Sequence, residues 1–340
     1  MVSRINFLPF VILLIIITLS FLAAVEDGFF KSAQAHSITV PIRGTTPYGI
    51  AYNSANNNMY IANLQSSTVS VISGSTDSVI ASILVGKNPA SIAYAPPNNK
   101  LYVSNAGSND VYVINGATNK VIKNIPVGNQ PVGLAYHPSN NDVYVVNNRN
   151  DTISVIDTST DSVIDTIPLD SLLPPPRTFG PYSITYDRIN GGMYVGGASS
   201  PQVSVVNTAS NAAVKDLPMP TPAADSAAAG LAHNPNNNRI YVTAYTSNMV
   251  ATINPETNNF DGSPIPVEVN PLGIVYNPRN NNIYVTNAGS NTVSVINPAT
   301  NSVIDTITTG TAPIGIAHNP SSNHIYVTNG GSNTVSIIHP

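Results

Sequence analysis

Short runs of β-branched and aromatic residues alternate with polar turns along most of the chain. In residues 271–307, four such runs (271–276, 283–287, 292–296 and 302–307) are separated by turns rich in Asn, Pro and Gly. The runs are too short for helices, and the turns between them are also short. The segment therefore predicts an antiparallel meander of four strands.

This four-strand unit recurs along the chain. Its opening residue occurs at intervals of 42, 42, 50, 47, 43 and 42 residues. The opening residues are Pro47, Pro89, Pro131, Pro181, Ala228, Pro271 and Pro313. Self-similarity at roughly 40 to 50 residues is typical of propellers and repeat arrays, and propeller blades are four-stranded sheets. We therefore predict an all-β fold, a seven-bladed β-propeller of four-stranded antiparallel blades.

The last repeat ends after its third strand, at residues 334–339. A candidate for the missing fourth strand lies at residues 37–42, just before the first repeat, and resembles residues 302–307. We expect this N-terminal strand to complete the seventh blade and to close the ring, which pairs the sheet edges inside it.

The N-terminus has the pattern of a secretory signal peptide. Arg4 precedes an apolar run at residues 7–25, and the small-residue triplet 33–35 predicts cleavage before His36. The domains are then a signal peptide, residues 1–35, and a propeller, residues 36–340. An uncleaved anchor is the alternative, because the apolar run approaches the length of a membrane span. Either interpretation predicts an exported protein whose membrane contact is confined to the N-terminal segment.

Composition narrows the classes of partner and site. Charged residues make up 9% of the chain and hydrophobic residues 42%, so the chain can bury a large core. A formal net charge of −4 without a basic run argues against binding double-stranded nucleic acid. The chain has no cysteine, which excludes disulfides and thiolate metal ligands.

The tetrad at the second strand of each repeat, Tyr-Val-x-Asn or a close variant, invites a functional interpretation. Its tyrosines are Tyr60, Tyr102, Tyr144, Tyr194, Tyr241, Tyr284 and Tyr326. Because they occupy the same place in every repeat, we expect them to pack between blades. The tetrad asparagines are expected to satisfy backbone groups at strand ends.

Candidate catalytic and metal-binding residues are scattered. His233 and His318 stand where other repeats have Tyr, and His137 lies one position further along. Metal binding needs several ligands to converge, so we predict no metal site, no cofactor and no catalytic residue. A weak alternative is copper binding by His36, if cleavage makes it the N-terminal residue.

The repeat is broken most clearly between its third and fifth copies. The link between the third and fourth copies, residues 170–181, and the link between the fourth and fifth, residues 218–227, are lengthened. The tetrads of the fourth and fifth copies end in Gly197 and Ala244 instead of Asn. A link and the turn between the second and third strands lie at the same end of a blade, so these changes fall on one face. Loops on a rigid scaffold commonly carry binding sites, although drift of surface loops is the alternative. The predicted ligand-binding residues are Arg149, Asp151, Asp170, Arg177, Phe179, Tyr182, Asp225 and Tyr245, and Asn150 lies in a glycosylation sequon.

The tetrads at 284–287 and 326–329 are each followed, one residue on, by Gly-Ser-Asn-Thr-Val-Ser. With this context the chain resembles the YVTN-family β-propeller repeat over nearly all of residues 36–340. The resemblance implies an exported seven-bladed propeller, of which many relatives belong to surface layers or the cell surface. Some periplasmic relatives have been linked to single-stranded DNA. The family implies no universal catalytic residue.

These observations predict an exported binding or structural module without catalysis of its own, with a cell-surface protein or polysaccharide as its partner. Two alternatives stay open. One is a propeller enzyme or redox-enzyme subunit, similar to propeller lyases and lactonases. The other is a protein that binds single-stranded nucleic acid through stacked aromatic residues.

Overall fold

The computed structural model describes residues 36–169, 180–198 and 200–340. These residues form seven four-stranded antiparallel sheets arranged in a ring. The fold is a seven-bladed β-propeller, as predicted. Within these ranges the helical content is a single 3₁₀ turn, Pro96–Asn98. No helix of the described residues is both long and apolar enough to cross a membrane. The predicted signal peptide, residues 1–35, lies outside the described residues.

The strands follow one another in the order inner to outer within each blade. Blade 1 contains β2 Pro47–Asn53, β3 Asn58–Asn63, β4 Thr68–Ser73 and β5 Val79–Leu84; blade 2 contains β6 Pro89–Ala95, β7 Lys100–Asn105, β8 Asp110–Asn115 and β9 Lys120–Pro126; blade 3 contains β10 Pro131–His137, β11 Asp142–Asn147, β12 Thr152–Asp157 and β13 Ser162–Pro168. Blade 4 contains β14 Pro181–Tyr186, β15 Met193–Gly197, β16 Gln202–Asn207 and β17 Ala212–Pro218; blade 5 contains β18 Ala228–Asn234, β19 Arg239–Ala244, β20 Met249–Asn254 and β21 Asn259–Pro266. Blade 6 contains β22 Pro271–Asn277, β23 Asn282–Asn287, β24 Thr292–Asn297 and β25 Ser302–Thr308; blade 7 contains β26 Pro313–His318, β27 Ile325–Asn329, β28 Thr334–His339 and, as its outer strand, β1 His36–Pro41.

The N-terminal strand closes the ring, as predicted. β1 pairs antiparallel with β28 from His36 opposite His339 to Pro41 opposite Thr334. Val40 and Ile42 pack against the apolar cluster between blades 7 and 1. The first and last parts of the propeller are thereby held in one sheet.

Neighbouring blades are joined near the central axis by the hydroxyl at the third tetrad position. In blade 7, the Thr328 hydroxyl accepts a hydrogen bond from the Gly315 N–H (2.8 Å) and donates one to the Tyr48 carbonyl of blade 1 (2.7 Å). Ser104, Thr243 and Thr286 donate in the same way to the inner strand of the next blade. These bonds require the inner strands to lie very close together.

The tetrad tyrosines join the blades a second time, further from the links. All seven are buried, which confirms the packing prediction. The Tyr60 hydroxyl donates to Asn119 Oδ1 of the next blade (2.6 Å), and the Tyr102 hydroxyl donates to Asp161 Oδ1 (2.6 Å). Equivalent bonds join Tyr144 to Asn211, Tyr194 to Asn258 and Tyr326 to Asp77. Each acceptor residue has a positive φ, which Asn and Asp tolerate better than most residues.

The tetrad asparagines organise the turn between the second and third strands. Asn147 Nδ2 donates to the hydroxyls of Thr152 (3.1 Å) and Ser154 (2.9 Å). Asn63, Asn287 and Asn329 make the same pair of bonds in their own blades. The asparagines are turn residues, as predicted, but the expectation that they satisfy backbone donors is wrong. Their Nδ2 groups bond to side-chain hydroxyls, and the Oδ1 atoms of Asn63, Asn147, Asn287 and Asn329 are buried without a partner among the described residues.

The closure by β1 leads to a prediction for stability. Deleting residues 36–42 from the chain exposes the edge of β28 and part of the apolar cluster between blades 7 and 1. We expect the melting temperature, measured by circular dichroism, to fall by more than about 10 °C relative to a chain that begins at His36. Equal melting temperatures for the two chains would contradict the role assigned to β1.

Candidate functional site

One face of the propeller carries the links between blades and the turns between second and third strands; we call it the link face. The two kinds of segment are bonded directly to each other. The Tyr245 N–H donates to the Ala227 carbonyl (3.1 Å), and the Ala198 N–H donates to the Gly180 carbonyl (2.9 Å). The predicted placement of these irregular segments on one face is therefore confirmed for the described residues. The opposite face, with the other two sets of turns, we call the turn face.

A cavity of about 280 Å³ occupies the central channel. Three successive residues from the inner strand of every blade line it. The first of the three residues, nearest the link face, is Tyr48, Ala90, Val132, Tyr182, Ala229, Leu272 or Ile314. The second is Gly or Ser, and the third is Ile or Leu. The lining residues carry no charged side chain, and the polar groups of the lining are backbone atoms and the hydroxyls of Tyr48, Ser91, Tyr182 and Ser183.

Aromatic residues gather where this channel meets the link face. Tyr48 and Tyr182 are the two aromatic members of the first lining position. Burial raises the pKa of Tyr48 to about 12, and the nearby Tyr245 phenol adds to the increase. Tyr48 and Tyr245 belong to blades 1 and 5, which are not neighbours in the ring. Tyr182 and Tyr245 were predicted as site residues from the sequence.

Tyr48 was not selected from the sequence as a site residue, because it lies in a repeat without an unusual link or turn. Comparison of the repeats at this one position would have identified it. The position after the opening Pro or Ala holds Ala, Val, Leu or Ile in five blades and Tyr in the other two. An aromatic residue at a position facing the channel differs from the pattern as clearly as a long loop does.

The other predicted site residues have separate roles. Asp151 is buried, and its Oδ1 accepts a hydrogen bond from the Gly180 N–H (2.7 Å) at the end of the long link. Arg149 is exposed and donates from Nε to Gln130 Oε1 (2.8 Å). Asp225 is exposed in the link before blade 5. Asp151 therefore holds the link in place, whereas Arg149 and Asp225 present their side chains at the surface.

Three predicted residues, Asp170, Arg177 and Phe179, lie outside the described residues. The Asn150 side chain is exposed, and its Oδ1 accepts from the Asn129 N–H. Ligand binding by the eight residues and glycosylation of Asn150 stay predictions.

Loss of the tetrad Asn in blade 4 is compensated locally. Where other blades have an Asn bonded to a serine on the third strand, blade 4 has Gly197, and Ser204 instead donates to Asp216 Oδ1. Burial raises the pKa of Asp216. The second carboxylate oxygen of Asp216 is buried without a partner among the described residues. The polar groups behind the link face of blade 4 thus differ from those of the regular blades.

The buried histidines lie near the turn face and support its turns. His137 Nδ1 accepts from the N–H groups of Ser139 (3.2 Å) and Asn140 (3.3 Å). Its Nε2 lies 3.2 Å from both the Gly191 carbonyl oxygen and Thr208 Oγ1. Burial lowers the pKa of His137. Both ring nitrogens are occupied, so His137 replaces the Asn that begins this turn in other blades.

A buried His–Asp pair joins blades 4 and 5 at the same face. His233 Nε2 lies 3.3 Å from Asp187 Oδ1, and both side chains are almost inaccessible. His233 Nδ1 accepts from the Arg188 N–H (3.3 Å), which fixes Nε2 as the protonated nitrogen. Burial lowers the pKa of His233 although Asp187 opposes that change. With its acceptor nitrogen already used, His233 is arranged to support structure and has no free lone pair for a substrate.

His36, His324 and His339 meet where the ring closes. The rings of His36 and His339 are stacked with centroids 4.8 Å apart, and the centroids of His324 and His339 are 4.0 Å apart. This cluster was not predicted, because it depends on the pairing of β1 with β28. Within the described ranges, no group of three or more His, Asp or Glu residues is arranged to hold a metal ion.

Comparison with known proteins gives a likeness of fold. No protein-family model matches the chain, and no curated protein matches it. Among solved structures, a catalytically inactive virginiamycin B lyase from Staphylococcus aureus with quinupristin is 16% identical, with a TM-score of 0.76 over 90% of this chain and all (100%) of that chain. A streptogramin B lyase is 14% identical, with a TM-score of 0.75 over 90% of this chain and 97% of that chain. Kuenenia stuttgartiensis hydrazine synthase is 19% identical, with a TM-score of 0.74 over 88% of this chain and 97% of that chain.

At these identities the likeness shows the β-propeller fold alone. Membership of the YVTN repeat family stays a prediction, since no family model supports it.

The neutral histidines lead to a prediction for acid stability. Because burial lowers the folded-state pKa of His137 below its ordinary value of 6.5, the unfolded chain takes up a proton first as the pH falls. Its stabilising contribution is complete above pH 6.5 and is lost below it. We expect the free energy of urea unfolding to decrease between about pH 7.5 and about pH 5.

His137→Asn should reduce this decrease, because Asn begins the same turn in other blades. Asn277→His, which places an imidazole in the corresponding turn of blade 6, should enlarge it. An unchanged pH dependence in both variants would contradict this assignment.

Proposed function

We propose that the protein is an exported, non-catalytic binding module whose partner docks on the link face over blades three to five. The observation that supports this most is the apolar channel opening between aromatic residues on that face. Its volume, about 280 Å³, lies near the lower end of the range of roughly 300 to 1,000 Å³ for small-molecule pockets. It suits one inserted group better than a whole cofactor.

The chemistry of the site favours a protein as the partner. An aliphatic or aromatic side chain would lose its contact with water inside the channel, and the tyrosines at the mouth would cover it. Arg149 and Asp225 supply charge of both signs at the rim of the same face. This combination of an apolar centre and a polar rim is the usual anatomy of a protein interface. A polysaccharide that stacks on the same tyrosines is the second partner to be tested.

The proposed export depends on the N-terminal sequence. Arg4, the apolar run at 7–25 and the triplet at 33–35 have the order of a cleaved signal. N-terminal sequencing of the protein from the cell exterior tests this part of the proposal. A chain that begins at His36 supports cleavage, whereas an intact N-terminus supports the anchor.

An enzyme is the alternative, and the structural likeness to two lyases is the observation in its favour. His137 and His233 are poor candidates for its catalytic base, because both have their acceptor nitrogens bonded to backbone N–H groups. Incubation of the full chain with quinupristin, followed by mass spectrometry, separates the two functions. Conversion of quinupristin that scales with protein concentration would replace the binding proposal with a lyase activity.

The proposed site leads to a prediction for binding. In a thermal-shift panel of peptides with apolar side chains, cell-surface polysaccharides and single-stranded oligonucleotides, a ligand at 100 times its Kd adds about 2.7 kcal/mol of stability. Tyr182→Leu should abolish the increase in melting temperature that the ligand causes. The unliganded variant should still fold, because Leu272 occupies the corresponding position in blade 6.

Tyr276→His is the matched control. It changes an inner-strand tyrosine at the other end of the channel to the residue found at the same position in blades 5 and 7. We expect it to keep the shift. A shift that survives Tyr182→Leu would move the site away from the channel mouth, and the absence of any shift across the panel would contradict ligand binding.

A further inference from the structure

The outer strands of six blades are irregular where they pair with the third strand. In blades 1, 2, 3, 4 and 6 the register shifts at one bulge near the turn face. In blade 5 the shift lies between Val250 and Thr252. A bulge twists an edge strand and hinders its pairing with another chain.

Most of these outer strands also carry a charge beside the bulge. In four blades a charged residue lies opposite the valine in the middle of the third strand. These residues are Lys123, Asp165, Lys215 and Asp305. Blade 1 has Ala81 at this position, and the outer strand of blade 5 contains Asp261. Charged side chains are a second device that keeps an exposed edge from pairing.

The outer strand of blade 7 has neither device. β1 pairs with β28 over six residues without a shift of register, and His36–Pro41 contains no Lys, Arg, Asp or Glu. Ile38 lies opposite Ile337, which has the place in blade 7 that Val295 has in blade 6. Ile38 therefore stands where four other blades have a charge, and it is 44% exposed. β1 is a regular, uncharged edge.

The free side of this edge presents hydrogen-bonding groups of the backbone. The Ile42 N–H donates to the Asn333 carbonyl (3.3 Å), in continuation of the register of β1 with β28. Bonds to one antiparallel neighbour fall on alternate residues. The N–H and C=O groups of Ser37 and Thr39 therefore point away from β28. Among the described residues, no further strand pairs with this side of β1.

We propose that β1 pairs antiparallel with β1 of a second copy of this chain, so that two propellers are joined edge to edge. A pairing centred on Ile38 places Ser37 of each copy opposite Thr39 of the other. The two residues then exchange N–H and C=O bonds, four in all. The two Ile38 side chains meet at a position without backbone bonds, where opposite side chains lie closest, and they cover each other from water.

The symmetry of this contact favours a second copy as the occupant. An uncharged strand does not repel its own copy, and an isologous contact is complete after two chains. The two-fold axis lies perpendicular to the joined sheets and reverses one propeller, so the two link faces point in opposite directions. Both stay open to their own partners, and this proposal does not depend on the function proposed above. Because few residues of each chain take part, the dimer should be weak and reversible.

Sedimentation velocity tests the proposal on the chain that begins at His36, which contains every strand of the propeller. We expect a monomer at low concentration and a dimer that increases with concentration. A monomer at every concentration would overturn the proposal and favour a strand of another protein as the occupant of this edge.

Ile38→Lys should weaken dimer formation by at least about tenfold, because it places two like charges side by side. The fold should tolerate it, since Lys123 and Lys215 occupy the same position in blades 2 and 4. Ile164→Lys is the matched control. Ile164 is 55% exposed on the outer strand of blade 3, beside its bulge, and its variant should form the dimer as the original chain does. An unchanged dimer in Ile38→Lys would place the contact elsewhere and overturn the pairing.

A charge exchange tests whether the two Ile38 residues face each other. Ile38→Asp alone should also be monomeric, and Asp165 and Asp305 show that its position accepts a carboxylate. Mixing the Lys and Asp variants should restore a dimer of one chain of each kind, because opposite charges then lie side by side. A mixture that stays monomeric would contradict the pairing centred on Ile38.

Thr39→Pro separates the dimer from the closure of the ring. It removes an N–H that points away from β28, so the bonds between β1 and β28 are kept. We expect a melting temperature close to that of the original chain and dimer formation weakened by about tenfold or more, since two of the four bonds are lost. Undiminished dimer formation in this variant would overturn the proposal.

Discussion

The close approach of neighbouring inner strands is the constraint on which the rest of the propeller depends. A Cβ atom added to Gly315 would lie 2.2 Å from the Tyr48 carbonyl oxygen, and one added to Gly273 would lie 2.3 Å from the Ile314 carbonyl oxygen. No side chain fits at Gly273 or Gly315, so glycine is required at these two contacts, whereas blades 2 and 4 have Ser91 and Ser183 at the same position. The third tetrad residue then reaches the same carbonyl with its hydroxyl. Both the glycine and the hydroxyl are therefore explained by one contact between blades.

The tyrosine hydroxyls form a second layer of contacts near the turn face, and the two layers together determine where the ring is sealed. At the junction of blades 7 and 1 both layers are present, through Thr328 and Tyr326. At the junction of blades 5 and 6 the inner layer is kept through Thr243, but the tyrosine layer is lost. The tyrosine bond is also absent between blades 6 and 7, where Tyr284 accepts from Asn280 of its own blade. The ring stays closed at both junctions through the inner layer.

The sequence predicts the blade number, the ring closure and the link face, because these follow from the spacing of repeats and from the direction of each strand. It predicts less of the candidate site, because contacts across the ring depend on the ring's diameter. Tyr48 and Tyr182 belong to repeats far apart in the chain and line one channel only once the ring is closed. Asp151 resembles a ligand-binding residue in the sequence, yet its carboxylate is occupied by the Gly180 N–H. The displacement of β21 depends on a bulge at Gly262 whose shape no periodic pattern specifies.

Blade 5 departs from the repeat at both of its ends. Ala244 replaces the tetrad Asn at the link face, and the bulge at Gly262 displaces the outer strand near the turn face. In a repeat architecture each unit contacts chiefly its neighbours, so such changes need to be accommodated only at adjacent junctions. The apolar core between blades 5 and 6 is continuous from Ala232 to Ile296, and it supplies the packing that these changes do not disturb. A blade whose core is preserved is free to vary at its polar ends, and the proposed link-face site includes Tyr245 from one end of blade 5.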